Sequence, residues 1–291
     1  MNRHLSFLRY LAGHPAARGR RARTILRALT WRATRAVGLA PLDLALRPGL
    51  RLRIDPTLVS ARMAYYLYGR QDHEEIALLE HYLRPGDTFL DVGASLGLYT
   101  LHAASLVGAA GRVHAFEPGA RSAARLEENL ELNHLSQVTL HRSAVGTTAG
   151  QVTLTGADEL ARVDPSGRSA GVTVPCLRLD DLDLPGGAAL AKVDVEGAEP
   201  LVLQGAARLL REATPPLWIL EVNGLLHGFG WTEVGLAEWL QEQGYLLGLY
   251  EPETRRFRFS EQPWHERANV VAVASARLDE VLRRLAEAPR G

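Results

Sequence analysis

The stretch Thr-Phe-Leu-Asp-Val-Gly-Ala-Ser-Leu-Gly, residues 88–97, joins a short apolar run to a helical pattern through a turn that contains glycines. Glycines at such a junction let the backbone turn sharply and let a ligand approach the N-terminus of the helix. The spacing from Gly93 to Gly97 is Gly-x-x-x-Gly, which differs from the Gly-x-Gly-x-x-Gly of a dinucleotide-binding turn. Asp91 precedes the first glycine by two residues, where its charge would repel a phosphate. The turn therefore predicts a site for a cationic group.

A second carboxylate, Glu117, follows the next predicted strand, residues 113–116. It comes about 20 residues after the glycine turn, where an α/β nucleotide site places an acid on the ribose hydroxyls. S-adenosylmethionine combines a ribose with an ammonium and a sulfonium group, so its charge suits Asp91 and its diol suits Glu117. We therefore expect S-adenosylmethionine as the cofactor.

The pattern around this turn predicts an α/β fold, because short β-like runs alternate with helical patterns. We expect a Rossmann-like class I methyltransferase fold: a mostly parallel seven-stranded sheet with helices on both faces, an inserted β-hairpin and an antiparallel last strand. The predicted strands are 88–92, 113–116, 138–141, 190–194, 218–221, 246–250 and 270–274. The predicted helices are 97–107, 120–133, 198–211, 232–243 and 278–287. The hairpin is predicted from 151–154 and 172–177, joined by the polar stretch 156–171.

Composition limits the remaining possibilities. The chain has 291 residues, 46% hydrophobic and 23% charged, which is typical of a globular protein. Cys176 is the single cysteine and no Cys/His pair has zinc-ligand spacing, so a disulfide scaffold and a structural zinc site are excluded and no metal is expected. No apolar run reaches the roughly 18–20 residues that cross a bilayer, and no signal peptide is recognisable. We expect a cytoplasmic protein.

The net charge of zero hides an uneven distribution of charge. Residues 1–42 contain nine arginines and no acidic residue, so the rest of the chain carries a net charge of −9. We predict a basic N-terminal extension (1–42), an α/β preface (43–87) with a strand at 50–54 and a helix at 72–83, and a methyltransferase domain (88–291).

Apolar residues recur at helical spacing in the extension, from Ile25 to Val37. The extension is either a solvated lead-in that docks on the acidic body, or a peripheral contact with an anionic membrane. Nucleic acid is not expected, because no nucleic-acid motif accompanies the arginines.

The block Lys-Val-Asp-Val-Glu-Gly-Ala-Glu, residues 192–199, is the best candidate for the catalytic end of the site. The period of two in a strand directs Lys192, Asp194 and Glu196 to one side at the carboxyl edge of the sheet, where α/β proteins bind ligands. Methyl transfer to a hydroxyl needs a group that orients the oxygen and accepts its proton. We assign this role first to Asp194 and second to Glu196, with Lys192 as the ion-pair partner that sets their ionisation. A structural ion-pair network is the alternative. Lys192 is also the single lysine of the chain.

At this point the sequence resembles the FkbM family of S-adenosylmethionine-dependent methyltransferases, from about residue 68 to residue 273. The resemblance is carried by 85–94 (PGDTFLDVGA), 116–118 (FEP), Asn129, Asn133, 144–146 (AVG), 179–182 (LDDL), 192–199 (KVDVEGAE), Leu203, Gly205, Ala206 and 221–223 (EVN). The family implies methyl transfer to a hydroxyl of a natural product or of a sugar in a glycolipid or polysaccharide. It also implies which residues contact the cofactor: Asp91, Gly93, Ala94, Gly97 and Glu117, with Ser143 and Ala144 near the adenine. Ser95 stands where the family usually has Asn, and we expect its short polar side chain to preserve binding.

Residues for the acceptor are expected at the end of the fifth strand. Glu221 and Asn223 end that strand at the same edge of the sheet, and His227 lies in the glycine-rich loop 224–230 that follows. Asp194, Glu196 and Glu221 could hold a hard cation only if they converge. Two other functions remain open at this stage: an NAD-dependent oxidoreductase on a similar sheet, and a non-catalytic binding module with this fold.

Overall fold

The computed structural model describes residues 2–36, 41–55, 59–156, 162–165 and 170–287. Two helices, α1 (Asn2–Gly13) and α2 (Arg21–Ala36), precede an antiparallel pair of strands, β1 (Leu42–Arg47) and β2 (Leu50–Ile54). Helices α3 (Val59–Tyr66) and α4 (His73–Tyr82) lead into the central sheet. The predicted strand at 50–54 and helix at 72–83 are confirmed, whereas β1 and α3 were not predicted.

Twelve further strands form two sheets in the described part of the chain. They are β3 (Thr88–Val92), β4 (Arg112–Phe116), β5 (Val138–His141), β6 (Ala144–Val145), β7 (Gly150–Thr155), β8 (Arg162–Val163), β9 (Val172–Leu177), β10 (Leu190–Val193), β11 (Leu217–Glu221), β12 (Tyr245–Glu251), β13 (Arg256–Phe259) and β14 (Asn269–Ala274). The central sheet has the order β13-β12-β14-β11-β10-β3-β4-β5, and the smaller sheet has the order β6-β9-β7-β8.

The direction of the strands confirms the predicted α/β class. Strands β5, β4, β3, β10 and β11 are parallel neighbours, so their carboxyl ends meet at one edge of the sheet. The last strand, β14, runs antiparallel to both β11 and β12, as predicted. The expected count of seven strands is not confirmed, because the segment after β12 turns back and pairs as an eighth, antiparallel strand, β13. Arg256 to Phe259 alternates charged and aromatic residues, a pattern that suits an edge strand.

The predicted hairpin is confirmed as the antiparallel pair β7 and β9. Its connection, predicted at 156–171, lies partly outside the described residues, because residues 157–161 and 166–169 are not described. Between them, β8 pairs with the end of β7. The smaller sheet follows β5 directly and so stands beside the carboxyl edge of the central sheet.

The helices that follow the strands cover both faces of the sheet. They are α5 (Leu98–Val107), α6 (Ala120–Leu132), α7 (Glu199–Gln204), α8 (Ala207–Arg211), α9 (Glu233–Glu242) and α10 (Leu278–Ala286). The single helix predicted at 198–211 is divided in two at Gly205. A Cβ at that residue would lie 2.0 Å from the carbonyl oxygen of Gly146, so the chain passes too close to the smaller sheet for any other residue.

Alternating residues of the strands pack into two separate cores. Phe89 of β3 faces the core shared with α4, α5 and α10, whereas the adjacent Leu90 faces the core shared with α7, α8 and α9. This is the period of two that a strand buried on both faces requires. Leu11 and Trp31 of the N-terminal extension belong to the first of these cores.

The N-terminal extension is therefore packed on the rest of the protein. Trp31 is 5% exposed and its ring lies 5.1 Å from that of Tyr65 and 5.9 Å from that of Tyr66. In contrast, Leu26 and Leu29 on the other side of α2 are 59% and 62% exposed. Val37, the last residue of the predicted amphipathic pattern, lies outside the described residues.

The docking of the extension uses aromatic rings more than acidic residues. The guanidinium groups of Arg20 and Arg27 lie 4.5 and 4.3 Å from the centre of the Tyr68 ring, a cation–π arrangement. In addition, His14 Nε2 donates a hydrogen bond to the backbone carbonyl of Gln71 at 3.0 Å. The extension thus contacts the segment between α3 and α4.

Two asparagines of the family pattern attach the preface to α6. Asn129 Oδ1 accepts a hydrogen bond from the backbone N–H of Arg53 at 2.6 Å, and Asn133 Oδ1 accepts one from that of Arg51 at 2.8 Å. Each Asn also donates to the carbonyl of the same residue in β2. The two amide side chains of α6 therefore satisfy the backbone N–H and C=O groups at the free edge of β2, as a neighbouring strand would.

Candidate functional site

The two motifs of the sequence meet at the turn after β3. Gly93 has a φ of 85°, and a Cβ there would lie 1.8 Å from the carbonyl oxygen of Asp194. The backbone N–H of Asp194 in turn donates to the carbonyl of Val92 at 2.9 Å. Glycine is required at this position because the chain after β3 touches the chain after β10.

Asp91 and Gly97 lie on the side of this turn that faces away from the cavity described below. Asp91 is 1% exposed and accepts a hydrogen bond from the hydroxyl of Thr100, and its burial raises its pKa to about 6. Gly97 has a φ of 97° at the start of α5, where a Cβ would lie 2.4 Å from the side chain of Leu126. Neither residue lines the cavity described below, so the structure gives both a supporting position behind the backbone of residues 93–96.

A cavity of about 360 Å³ opens at the carboxyl edge of the sheet. Five residues predicted for the cofactor line it beside Gly93: Ala94, Ser95, Glu117, Ser143 and Ala144. Asp194 and Glu196 line the same cavity. The residues predicted to hold the cofactor and two of those predicted for catalysis thus share one space.

Glu117 is held in place by backbone donors. Its Oε2 accepts from the N–H of Ser95 and its Oε1 from the N–H of Gly119, both at 2.8 Å. The carboxyl group is 8% exposed, and burial raises its pKa to about 7. Ser95 reaches this bond with a φ of 50°, an uncommon conformation for a residue other than glycine. The bond orients the carboxylate at the wall of the cavity.

Lys192 and Asp194 form an ion pair at the end of β10. The Nζ of Lys192 lies 2.9 Å from Oδ2 of Asp194, and the two side chains are 2% and 37% exposed. Burial alone lowers the pKa of Lys192, but the charge and hydrogen bond of Asp194 outweigh it and raise that pKa. Burial would raise the pKa of Asp194, and the ammonium of Lys192 holds it below its usual value instead. Asp194 is therefore a carboxylate.

Glu221 completes this network as a neutral acid. Burial and the adjacent charge of Asp194 raise the pKa of Glu221 to about 9, and its carboxyl group hydrogen-bonds to Asp194. Asn223 donates from Nδ2 to Oε2 of Glu221 at 2.8 Å and accepts from the N–H of Leu225. Two neighbouring carboxyl groups thus share one proton beside one ammonium.

The loop after β10 is held by an acid that the catalytic prediction left out. Glu199 is fully buried, and its Oε1 accepts from the N–H of Val195 at 2.9 Å and from that of Gly197 at 3.3 Å. Within the loop Glu196 has a φ of 56°, and burial raises the pKa of its carboxyl group. Glu196 and Ser95, both with positive φ, line the cavity, as strained residues at functional sites often do.

The predicted acceptor residues do not line the cavity. Glu221 and Asn223 reach it only through Asp194. His227 lies in the turn Gly224–Phe229 with its side chain 59% exposed, and its Nε2 is 3.5 Å from the carboxylate of Glu233. The structure thus places His227 beside α9 and outside the cavity lining.

Sequence reasoning missed three residues on the opposite wall. Gln71 and Asp72 precede α4, and Tyr99 lies in the first turn of α5; all three line the cavity. Asp72 was interpreted only as the acidic start of a helix, and no local pattern relates the preface to a site some 120 residues later. The ring of Tyr99, 5.2 Å from Nζ of Lys192, joins this wall to the ion pair.

The residues present fit S-adenosylmethionine. The volume falls within the range of roughly 300–1,000 Å³ that is usual for small-molecule sites. The hydroxyl of Ser143 is buried in the wall and has no hydrogen-bond partner among the described residues, which leaves it available to a ligand. Four acidic residues line the cavity (Asp72, Glu117, Asp194 and Glu196), a charge that suits a cation and opposes a pyrophosphate. No group of three or more His, Cys, Asp or Glu residues in the described part of the chain could hold a metal ion.

Comparison with known proteins agrees with this geometry. The family model described as "Methyltransferase FkbM domain" matches residues 91–247. None of the curated proteins compared matches the chain at a significant level.

Several solved structures are similar at low identity. The FkbM methyltransferase of Methylobacillus flagellatus KT is 17% identical over 86% of this chain and 59% of its own, with a TM-score of 0.43. A putative O-methyltransferase of Klebsiella pneumoniae is 16% identical over 90% of each chain, with a TM-score of 0.40. A putative methyltransferase of Streptococcus mutans, solved in complex with SAH, is 12% identical over 69% of this chain and 96% of its own, with a TM-score of 0.40. This chain spans about three fifths of the M. flagellatus protein.

The matched region covers more than half of the chain and contains both motifs that meet at Gly93, Asp91–Gly97 and Lys192–Glu199. It favours a methyltransferase over the first alternative, an NAD-dependent oxidoreductase. It also confirms the cofactor expected from Asp91 and Glu117. The chain belongs to the FkbM family of S-adenosylmethionine-dependent methyltransferases.

Proposed function

We propose that this protein methylates a hydroxyl group of a sugar, in a glycolipid or polysaccharide, or of a natural product. The observation that carries the proposal is the shared cavity, in which Glu117 and Asp194 face one space of about 360 Å³. Cofactor and acceptor must lie side by side for transfer, and this space is lined by a candidate ligand for each.

In this proposal the cofactor occupies the side of the cavity at the carboxyl ends of β3, β4 and β5. Glu117 accepts hydrogen bonds from the ribose hydroxyls, and Ser143 and Ala144 lie against the adenine. Residues 93–95 contribute backbone groups, and Asp91 supports them from behind. The bound cofactor supplies a methyl group that is activated by its positively charged sulfur.

On the other side Asp194 orients the acceptor hydroxyl and receives its proton. Lys192 keeps Asp194 ionised, because its ammonium lies 2.9 Å from the carboxylate in a buried environment. Glu196, at the same wall, is the second candidate for the proton acceptor. Glu221 and Asn223 support Asp194 through hydrogen bonds, and we assign them this role in place of direct contact with the acceptor. Holding the reacting oxygen in line contributes up to roughly 7–11 kcal/mol in favourable cases.

Calorimetry and a transfer assay test the proposal. We expect the protein to bind S-adenosylmethionine and not NAD, and to move a labelled methyl group to a hydroxyl compound. Binding of NAD alone would contradict the assignment of the cofactor. Binding of S-adenosylmethionine without transfer to any hydroxyl compound would favour the non-catalytic binding module.

We also infer that residues 1–40 hold the enzyme against an anionic membrane surface. Among the described residues, Leu5, Phe7, Tyr10, Leu26 and Leu29 belong to the large hydrophobic side chains that are exposed, and all five lie in this extension. Exposed arginines stand between them, including Arg9, Arg21 and Arg23. Apolar side chains next to cations are the composition that binds anionic lipid surfaces. In the described residues no helix has the length and apolarity for crossing a bilayer.

Point variants test this inference better than a deletion does. Leu11 and Trp31 are part of the core, so removing residues 1–40 would expose apolar surface elsewhere. We expect the double variant Leu26→Ser/Leu29→Ser to lose binding to phosphatidylglycerol vesicles, measured by cosedimentation at low salt. Val234→Ser, at a residue that is 45% exposed on α9, is the matched control and should bind as the wild type does. Equal binding by the double variant would refute the membrane contact.

A further inference from the structure

Two buried polar atoms on the preface side of the cavity make no hydrogen bond of normal geometry with the described residues. The hydroxyl of Tyr99 and the Oε1 of Gln71 are buried without a hydrogen bond in the described part of the chain. Tyr99 is 8% exposed, and its hydroxyl lies beside the Asp72 carboxyl group without a hydrogen bond of normal geometry. Buried polar groups are nearly always paired, because an orphan is costly. A ligand in the cavity would supply the missing partners.

Asp72 adds a carboxyl group to these two atoms, and burial raises the pKa of this carboxyl. It occupies the residue before α4, where an aspartate usually caps the helix, yet its side chain makes no capping hydrogen bond. The side chain lines the cavity instead. The backbone next to Asp72 is anchored by the N-terminal extension, because His14 Nε2 donates a hydrogen bond to the carbonyl of the preceding residue, Gln71.

The charge of the cavity limits what can bind beside this wall. Four acidic side chains line it, and Arg162 is the single cationic residue among the described lining residues. The ammonium of Lys192 is already bound to Asp194. An anionic group beside Asp72 would meet that carboxyl group and find the ammonium of Lys192 already paired, whereas hydroxyl groups can donate to Asp72 and Gln71 and accept from Tyr99.

We propose that Gln71, Asp72 and Tyr99 form the acceptor subsite, and that this subsite selects uncharged polyhydroxyl acceptors over anionic ones. The inference rests on the proposed methyltransferase function. Gln71 and Asp72 precede the region matched by the family model, so two of the three subsite residues come from the preface of this chain. An acceptor held there lies next to Asp194, since Tyr99 borders both the wall and the ion pair.

The experiment compares matched acceptors with the full-length protein and labelled S-adenosylmethionine. The probes are methyl hexopyranosides of the gluco, galacto, manno and rhamno series, with the corresponding uronate for the first three. We expect transfer to one or more neutral glycosides, with kcat/KM at least about tenfold above that of the matched uronate. Asp72→Asn should raise the KM for the neutral acceptor by about two- to tenfold, the value of one hydrogen bond. It should also reduce the ratio of kcat/KM between the neutral glycoside and the matched uronate, because the carboxyl group next to the acceptor is gone.

Further variants separate this subsite from a general loss of structure. Gln71→Leu and Tyr99→Phe should each raise the acceptor KM by about two- to tenfold, the value of a neutral hydrogen bond, with an unchanged dissociation constant for S-adenosylmethionine. Glu74→Gln is the matched control, since Glu74 is the next acid along α4 and is not among the cavity residues; it pairs with Arg267. Glu74→Gln should leave both the acceptor KM and the dissociation constant for S-adenosylmethionine unchanged.

Three results would overturn the inference while S-adenosylmethionine still binds: a wild-type preference for uronates, no methylation of any neutral glycoside, or an unchanged acceptor KM in Asp72→Asn. Failure to bind S-adenosylmethionine at all would instead refute the proposed function.

Discussion

The two sides of the cavity hold their acidic residues by different means. On the β4 side, Glu117 is fixed by two backbone N–H groups that belong to the same turns as the motif. On the β10 side, Asp194 is fixed by the side chains of Lys192 and Glu221, which come from two strands. The first arrangement keeps its geometry whatever the neighbouring side chains are. The second depends on every member having the right charge, so substitutions there should have larger and more coupled effects.

Asp194→Asn should have the largest effect on activity. The amide cannot accept the proton of the acceptor, so we expect turnover to fall by roughly 10²- to 10⁴-fold, the usual contribution of a positioned base. The dissociation constant for S-adenosylmethionine should stay near the wild-type value. Labelled methyl transfer and calorimetry measure the two quantities. Asp183→Asn, an exposed acid outside the cavity lining, is the control, and wild-type turnover in Asp194→Asn would remove this residue from catalysis.

Lys192→Met should have the largest effect on stability. It leaves Asp194 and the carboxyl groups near it without their buried cation, and breaking a buried pair costs about 3–5 kcal/mol. Because Asp194 is 37% exposed, we expect the lower end, a loss of about 3 kcal/mol in the free energy of unfolding, measured with denaturant.

Lys192→Arg keeps the charge and is the companion variant. A guanidinium is wider than an ammonium and must fit where the lysine side chain is 2% exposed, so partial recovery is expected. Full stability and activity in Lys192→Arg would show that the single lysine of the chain stands there by chance. Unchanged stability in Lys192→Met would contradict the view of this side as a charge network.

Glu117→Gln should act mainly on cofactor affinity. The amide still accepts through one oxygen, but a charged acceptor of the ribose hydroxyls is lost, which is worth about 1.5–3 kcal/mol. We expect the dissociation constant for S-adenosylmethionine to rise by roughly 10- to 100-fold, and the free energy of unfolding should fall as well, because the NH2 group meets one of the two backbone N–H groups that donate to Glu117. Glu131→Gln, at an exposed acid of α6, is the control in the same calorimetric titration. An unchanged constant in Glu117→Gln would remove the diol contact.

The smallest expected effect is a dependence of stability on pH. The pKa of Glu221 is raised from 4.5 to about 9, so the folded protein holds a proton that the unfolded chain releases. The free energy of unfolding therefore decreases as the pH rises toward 9. Asp91, Glu75, Glu117 and Glu199 act in the same direction, with pKa values of about 6 to 7, and burial also raises the pKa of Asp72. The share of the decline that belongs to Glu221 is therefore the share that disappears when Glu221 is replaced.

Denaturant unfolding at several pH values from about 7.5 to 9 measures the effect. We expect a decline on the order of 1 kcal/mol in the wild type, since the network is partly exposed to solvent. Glu221→Gln should flatten that decline. An equal slope in the variant would show that Glu221 is not the group that holds the proton.

Much of the fold and part of the site could be predicted from the residues alone. Strands such as Thr88–Val92 and Val138–His141 match their predictions, because an apolar run of that length between turn signals has few other solutions. Glu117 and Asp194 were both identified, since each directly follows a strand of a parallel sheet. Helix 198–211 was predicted without its break, which depends on the contact of Gly205 with Gly146.

The rest of the site depends on contacts between distant segments. Nothing near Asp72 in the sequence indicates that its side chain would line a cavity with Glu196 and make no capping hydrogen bond to α4. The same holds for Glu221, which was expected to contact the acceptor and instead bonds to Asp194. His227, expected beside it, pairs with Glu233 outside the cavity.

The sequence by itself determined the α/β class, the glycine turn, the positions of Glu117 and Asp194 at the carboxyl ends of their strands, and the family. These depend on local spacing, which the periods of helix and strand translate directly into direction. The tertiary structure alone decided which groups share protons and charge, and that the preface closes the cavity with Gln71 and Asp72. Burial and electrostatic coupling act through space, so their strength is set by the packing of segments that the order of residues leaves far apart.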